Sequence, residues 1–343
     1  MAPNAPDARA VVDLRSDTVT RPTPAMRRAM AEAEVGDDGF GDDPTVNRLQ
    51  EVFADRMGKA EALFVPSGTM ANQIALRVLA PAGTLVVAGR RQHVVTHEGG
   101  AFGVNQAAQL HVVDDADGTL DPGEIAHLVA GAEHRWPTPA AVVVENTHLA
   151  AGGRAWPPDG LDAVADVGVP VHLDGARLFN AAVATGVTPA DLAARATLVT
   201  ACLSKGLGAP IGSLLAGPAD LIGRARVERK RLGGGMRQVG IVAAAGLVAL
   251  DTMVERLADD HGRARTLAEA VAERWPGAGC DPKEVETNVV LFHHPDPAAL
   301  LGALAADGVW AVTLGPRLVR LVTHCDVDDA AIARAVAAIR RAP

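Results

Sequence analysis

Short apolar runs alternate with helical stretches along most of this chain. The runs at 62–65, 85–88, 110–113, 141–145, 169–174, 198–203 and 213–216 are almost continuously apolar, and helical spacing fills most gaps between them, as at 69–79 and 161–167. Strands that read as apolar throughout are strands buried on both faces. The pattern predicts an α/β fold, a mostly parallel seven-stranded sheet covered by helices, with ligands gathering at the carboxyl ends of the strands. A loop crowded with Gly and Asp at 36–44 precedes a helix at 45–57. After Gly233-Gly234-Gly235 the spacing turns to long helices, about 237–257 and 260–274. A smaller set follows, with strands at 287–292, 310–313 and 318–323 and helices at 298–307 and from 328. The expected organisation is a flexible tail over 1–12, a large domain over 13–257 and a small α+β domain over 258–343.

Composition narrows the class. At 343 residues and 48% hydrophobic, the chain can bury a sizeable core. A net charge of -9 disfavours nucleic acid and anionic membrane as partners, since either wants a basic face. No apolar run is long enough to span a bilayer, and the first residues lack the apolar core of a secretory signal. Cys202, Cys280 and Cys325 are odd in number and show no C-x-x-C spacing, which predicts a reduced, cytoplasmic setting. Tyrosine is absent, so no phenol can take part in chemistry.

The chemistry gathers around one lysine. Lys59, Lys230 and Lys283 lie among polar neighbours, whereas Lys205 sits between the apolar run Ala201-Cys202-Leu203 and the glycine-rich turn Gly206-Leu207-Gly208. Partial desolvation there suits an amine to attack a carbonyl. The other predicted strand ends carry Ser67-Gly68-Thr69, His93, Glu145-Asn146-Thr147-His148 and Asp174-Gly175-Ala176-Arg177. Ser67-Gly68-Thr69 opens a helix and offers backbone N–H groups to a phosphate. Pyridoxal 5′-phosphate (PLP) needs a lysine for a Schiff base, a carboxylate for its pyridinium nitrogen and a phosphate cup, and the predicted rim holds all three. Neither a dinucleotide fingerprint nor a Walker A motif is present, which sets a nucleotide-binding oxidoreductase aside.

Seven motifs appear in a telling order: Asp13-Leu14-Arg15-Ser16-Asp17-Thr18-Val19-Thr20, Gly41-Asp42-Asp43-Pro44-Thr45, Ser67-Gly68-Thr69-Met70-Ala71-Asn72, Glu145-Asn146-Thr147-His148, His172-Leu173-Asp174-Gly175-Ala176-Arg177, Ser204-Lys205-Gly206-Leu207-Gly208-Ala209-Pro210 and Gly233-Gly234-Gly235-Met236-Arg237-Gln238. Together they resemble the low-specificity L-threonine aldolases, PLP enzymes of fold type I, over nearly the whole chain. The resemblance implies that Lys205 forms the Schiff base, Asp174 holds the pyridinium nitrogen and His93 stacks over the ring. It implies Ser67, Gly68 and Thr69 at the phosphate, with Lys230 and Arg237 adding charge from a neighbouring subunit. Ser16, Arg177 and Arg320 would grip the substrate carboxylate, with Arg177 also beside the cofactor, and Glu98 and His148 would lie near the substrate side chain. Phe40, His97 and Leu149 depart from residues common in the family, so side-chain specificity does not carry over.

The expected reaction is retro-aldol cleavage of L-threonine, L-allo-threonine and related L-β-hydroxy-α-amino acids to glycine and an aldehyde. β-Elimination or racemisation on the same scaffold is the alternative. The base for the β-hydroxyl proton stays open between His93, His148 and a water held by one of them or by Glu98. No catalytic metal is expected, because His97-Glu98 lacks the second histidine of a zincin and Glu145-Asn146-Thr147-His148 ends a strand rather than lying on a helix. The family resemblance also implies a homotetramer built from dimers.

Overall fold

The structure, a computed structural model, describes residues 11–132 and 136–343. The expected tail therefore lies, for residues 1–10, outside the described residues. The chain opens with β1 (Val12–Asp13), α1 (Pro24–Glu32), α2 (Pro44–Met57), β2 (Glu61–Val65), α3 (Gly68–Leu79), β3 (Leu85–Gly89), α4 (His93–Thr96), α5 (Ala101–Asn105) and β4 (Gln109–Val113). It continues through α6 (Pro122–Gly131), β5 (Pro139–Glu145), α7 (Pro158–Ala165), β6 (Val171–Asp174), α8 (Leu178–Thr185), α9 (Pro189–Ala193), β7 (Leu198–Cys202) and β8 (Ser213–Gly217). The last third holds α10 (Ala219–Arg231), α11 (Gly240–Thr252), α12 (Leu257–Arg274), β9 (Val289–His293), α13 (Pro297–Ala306), β10 (Val309–Trp310), β11 (Val312–Thr313), β12 (Leu318–Val322) and α14 (Asp329–Arg341).

Seven strands form one sheet in the order β2-β8-β7-β6-β5-β3-β4. The pairs from β7 across to β4 are parallel, and β8 runs antiparallel to both β7 and β2. Two reversals restore direction, so β2 ends on the same rim as β3, β5, β6 and β7. Alternation along the strands loads both faces: Ala62 and Phe64 enter one apolar core, Leu63 and Val65 the other. Likewise Leu85 and Val87 face one side, Val86 and Ala88 the opposite one. This double burial is why the strands read as apolar throughout.

Local signals set the helix ends. Asp43 accepts from the N–H groups of Thr45 and Val46, both at 3.1 Å, with Pro44 at the first helical position of α2. Gly58 closes α2 in the left-handed region at φ 61°. The helix expected at 237–257 is shorter, Gly240–Thr252, and the one expected at 260–274 begins earlier, at Leu257; in the turn between them the Met253 N–H returns to the Ala249 carbonyl and the Leu257 N–H to Val254. The expected strand at 310–313 also divides. Val309–Trp310 pairs in parallel with β1, while Val312–Thr313 pairs antiparallel with β12. Through that pairing Val12 and Leu14 join the C-terminal core with Leu267, Val271, Phe292 and Ile339. Among the described residues, no helix is long and apolar enough to cross a membrane.

Candidate active site

The rim where β2 and β7 end holds a cavity of about 290 Å³, lined by Ser67, Gly68, Thr69, His93, Asp174 and Lys205 among others. Ser67 caps α3, accepting from the Met70 N–H at 3.2 Å, so the first amides of this twelve-residue helix face the cavity's end of the element. Gly68 leaves little room for a side chain. A Cβ would stand 2.9 Å from the Cys202 Sγ. Lys205 sits in the turn after β7, half-buried, and its carbonyl accepts from the Thr20 hydroxyl at 2.9 Å and the Gly208 N–H at 2.9 Å. That turn is anchored by backbone while the amine is left to the cavity.

Beneath the cavity lies a buried polar network. Asp174 ends β6; its Oδ1 accepts from the Ala176 N–H at 3.1 Å and its Oδ2 from Asn72 Nδ2 at 2.7 Å. Glu98 accepts from the same Asn72 amide at 2.8 Å and from Gln73 Nε2 at 2.7 Å, and its Oε1 is 3.0 Å from His93 Nδ1. Burial alone would lower the His93 pKa, but the Glu98 bond and the charge of Asp174 outweigh it and the net direction is up. His93 is fixed by its backbone as well, its N–H donating to Glu145 Oε2 at 2.6 Å. Glu145 is fully buried, and burial together with the nearby Asp174 charge raises its pKa. His93, Glu98 and Asp174 bring possible ligand atoms within 4.8 Å of one another. Their carboxylates already accept from amide N–H groups, which suits a proton network better than a cation.

A second cavity of about 140 Å³ shares His93, Asp174 and Lys205 with the first and adds Ser16, Arg177 and Arg320. Arg177 is clamped by Asp17, Nε to Oδ2 at 2.8 Å and Nη2 to Oδ1 at 2.6 Å. Asp17 also accepts from Asn288 Nδ2 at 3.2 Å. Burial would raise the Asp17 pKa, yet Arg177, Lys205 and Asn288 prevail and hold it at about 2. Arg320 gives Nη2 to the Arg15 carbonyl at 2.8 Å, and its buried Nε has no partner among the described residues. Ser16 spends its hydroxyl on Thr18, accepting from the N–H at 3.2 Å.

Four expected site residues line neither cavity: Glu98, which is spent on Asn72, Gln73 and His93 in the buried network, and three that lie elsewhere in this chain. His148 is fully buried and lines neither cavity; its Nδ1 accepts from the Ala151 N–H at 3.2 Å, so Nε2 carries the proton toward Asp115 Oδ2, 2.9 Å away. Both ring nitrogens are thus engaged. Lys230 and Arg237 also line neither cavity, Lys230 lying against Gly235 and Arg237 3.6 Å from Asp37. Conversely, Asp17, Asn72, Gln73, Glu145 and His172 join the site's network without having been singled out for a role. Asn72 and Gln73 carried a signal: two polar residues among Ala71, Ile74, Ala75 and Leu76, at helix positions that are fully buried.

This geometry has a family. The model of the β-eliminating lyase family matches residues 13–295. The chain belongs to it. It is 41% identical over 333 residues to the low specificity L-threonine aldolase of Escherichia coli O157:H7, covering 95% of this chain and 98% of that protein. In fold it is similar to the Leishmania major threonine aldolase, with TM-score 0.82, 21% identity and 96% and 99% of the two chains covered. An SPT structure with PLP is a more distant likeness, with TM-score 0.75, 17% identity and 96% and 87% covered. PLP is the group named with that structure. The residues present fit that group: the first amides of α3 at the cavity, one lysine on the cavity walls among the described residues, and a buried carboxylate at the end of β6.

Proposed function

We propose that this lyase cleaves L-threonine, L-allo-threonine and related L-β-hydroxy-α-amino acids to glycine and an aldehyde, acetaldehyde in the case of threonine. The observation that carries the reading is the shared wall of the two cavities. Lys205, Asp174 and His93 line both, so a cofactor seated against the α3 N-terminus meets a substrate held beside Arg177 and Arg320. When bound, PLP supplies an electron sink for the pair left at Cα.

The chain's own residues do the rest. Lys205, whose amine is left to the cavity, would hold the cofactor through its aldehyde carbon. Asp174, held by two N–H donors, would accept from the ring nitrogen. The amides that open α3 would hold the phosphate, with Ser67 fixing the turn and Thr69 beside it. The unpartnered Arg320 Nε and the Asp17-aligned Arg177 suit a carboxylate. With Nδ1 turned to Glu98, His93 keeps Nε2 for the β-hydroxyl proton. As that proton leaves, the Cα–Cβ bond breaks, the aldehyde departs, and protonation at Cα gives glycine.

Incubation of the purified enzyme with L-threonine and with L-serine tests this. Acetaldehyde and glycine support the reading; ammonia and a 2-oxo acid point instead to β-elimination. Replacement of Lys205 by alanine is expected to abolish both the visible cofactor absorbance and cleavage.

We also infer a division near 257/258 into a large unit over 13–257 and a small unit over 258–343, with the first strand lent to the smaller core. We propose a cytoplasmic homotetramer, in keeping with the three unpaired cysteines and with the position of Lys230 and Arg237 off this chain's own cavities.

A further inference from the structure

We propose that Asn72 is a positioning residue for the reaction, because its single side-chain amide ties the carboxylate facing the cofactor ring nitrogen to the carboxylate that orients the base. The inference deepens the aldolase reading and rests on it.

Asn72 lies in the second turn of α3 and is 2% exposed. Its Nδ2 is 2.7 Å from Asp174 Oδ2 and 2.8 Å from Glu98 Oε1, one amide hydrogen for each. Its Oδ1 is 2.9 Å from His172 Nε2 and 3.5 Å from the Thr200 hydroxyl. The orientation follows from this company. A carbonyl oxygen turned toward two carboxylates would be repelled, and His172 then has to donate from Nε2, leaving its buried Nδ1 bare. Burial lowers the His172 pKa and so favours the neutral ring, whose proton on Nε2 goes to Asn72.

Remove the amide and each of these buried carboxylates loses a donor. Asp174 would keep only the Ala176 N–H, and Glu98 only Gln73 and His93. The charged groups gathered here are Asp174 from β6, Glu98 and His93 around α4, Glu145 from β5 and Lys205 after β7. A Glu98 stripped of Asn72 holds the His93 imidazolium more tightly, so the base is harder to free. An Asp174 stripped of Asn72 can swing, and the ring nitrogen loses its fixed acceptor.

In the holoenzyme, Asn72→Ala is expected to lower kcat for L-threonine by about 10²-fold, within the range a positioned acid-base group contributes. KM should change little, since Arg177 and Arg320 are untouched. The pH at which the cofactor's visible band changes should shift. Added to Glu98→Ala, the same change should cost less than in the wild type, because one end of the link is already gone. In the cofactor-free protein, the NMR titration of the His93 ring should move upward. That last readout stands apart from the reaction: a wild type that cleaves no threonine sinks the aldolase reading, while an unmoved His93 titration sinks this one. A variant that melts at lower temperature but keeps its His93 titration, its absorbance titration and its kcat would show Asn72 to be a packing residue and overturn the proposal. Should Asn72→Ala fail to fold, His172→Leu leaves Asn72 in place but frees its amide to turn. The same three shifts, smaller, are then expected, and their absence overturns the proposal equally.

Discussion

Asp17 is fully buried against Arg177, and the consequence for stability can be worked out in sign. Its folded pKa is held at about 2, below its ordinary value of 3.8. A depressed carboxyl contributes stability above the unfolded pKa and loses it as pH falls through the folded one, so the window is roughly pH 4 down to pH 2. The size is on the order of 2 kcal/mol. Acid unfolding of Asp17→Asn should start from lower stability at neutral pH and be flatter across that window; parallel acid melts would refute the pairing. His93 works in the opposite direction. With its pKa raised by Glu98 and Asp174 against the effect of burial, the neutral base form dominates only above the ordinary histidine range. The acidic limb of kcat should therefore lie above pH 6.5 or so, and Glu98→Gln should move it down. A limb that stays put in that variant would remove Glu98 from the argument.

At the scale of the element, α3 is the piece on which the cofactor site depends. Ser67 caps it, Gly68 and Thr69 open its first turn, and Asn72 and Gln73 follow, so one helix presents both the amides proposed for the phosphate and the donors for two buried carboxylates. Its seat is tight. Gly68→Ala would push a methyl to 2.9 Å from Cys202 Sγ, and PLP affinity should fall. Removing the sulfur in Gly68→Ala/Cys202→Ala should restore part of it, measured by cofactor titration; no recovery would mean that the amide geometry, rather than the sulfur, is the obstacle. Gly58 offers a contrast at the end of α2. Its φ of 61° penalises any side chain by about 1 kcal/mol, while its nearest neighbour, the Ala190 Cβ, would lie at an ordinary 3.4 Å. Gly58→Ala should lower the melting temperature and leave activity alone.

At the scale of the whole molecule, the question is whether one chain completes its own site. Arg237 is 67% exposed on its side chain and Phe40, in the loop before α2, is 81% exposed, although both sit in stretches that resemble site motifs. If subunits share sites, mixing Lys205→Ala protein with Arg237→Ala protein, each inactive alone, should regenerate activity through hybrid sites. A mixture that stays at the sum of its parts would confine the site to one chain. The loop itself is tied down within the chain by Asp38, which meets buried Arg229 at 2.5 Å and takes the carbonyl of Arg237 through its own N–H at 3.1 Å.

By itself, the sequence determined the sheet, its double burial and the order of chemical groups along the rim, because apolar period and strand-end position are local properties that tertiary packing only collects. The same local logic found Lys205 and Asp174. What it could not reach were relations between distant segments. His148 and His93 look equally suited to act as a base in the sequence, and only the fold turns both His148 nitrogens to Asp115 and Ala151 while leaving one of His93 open. Asp17 is 160 residues from Arg177, and Asn72 is 102 from Asp174 and 26 from Glu98. Nor does periodicity say that β1 pairs with β10, since a two-residue strand has no period to read. Hydrogen-bond partnership is decided by where the sheet brings its strand ends together, and that is information held by the topology rather than by any single stretch of chain.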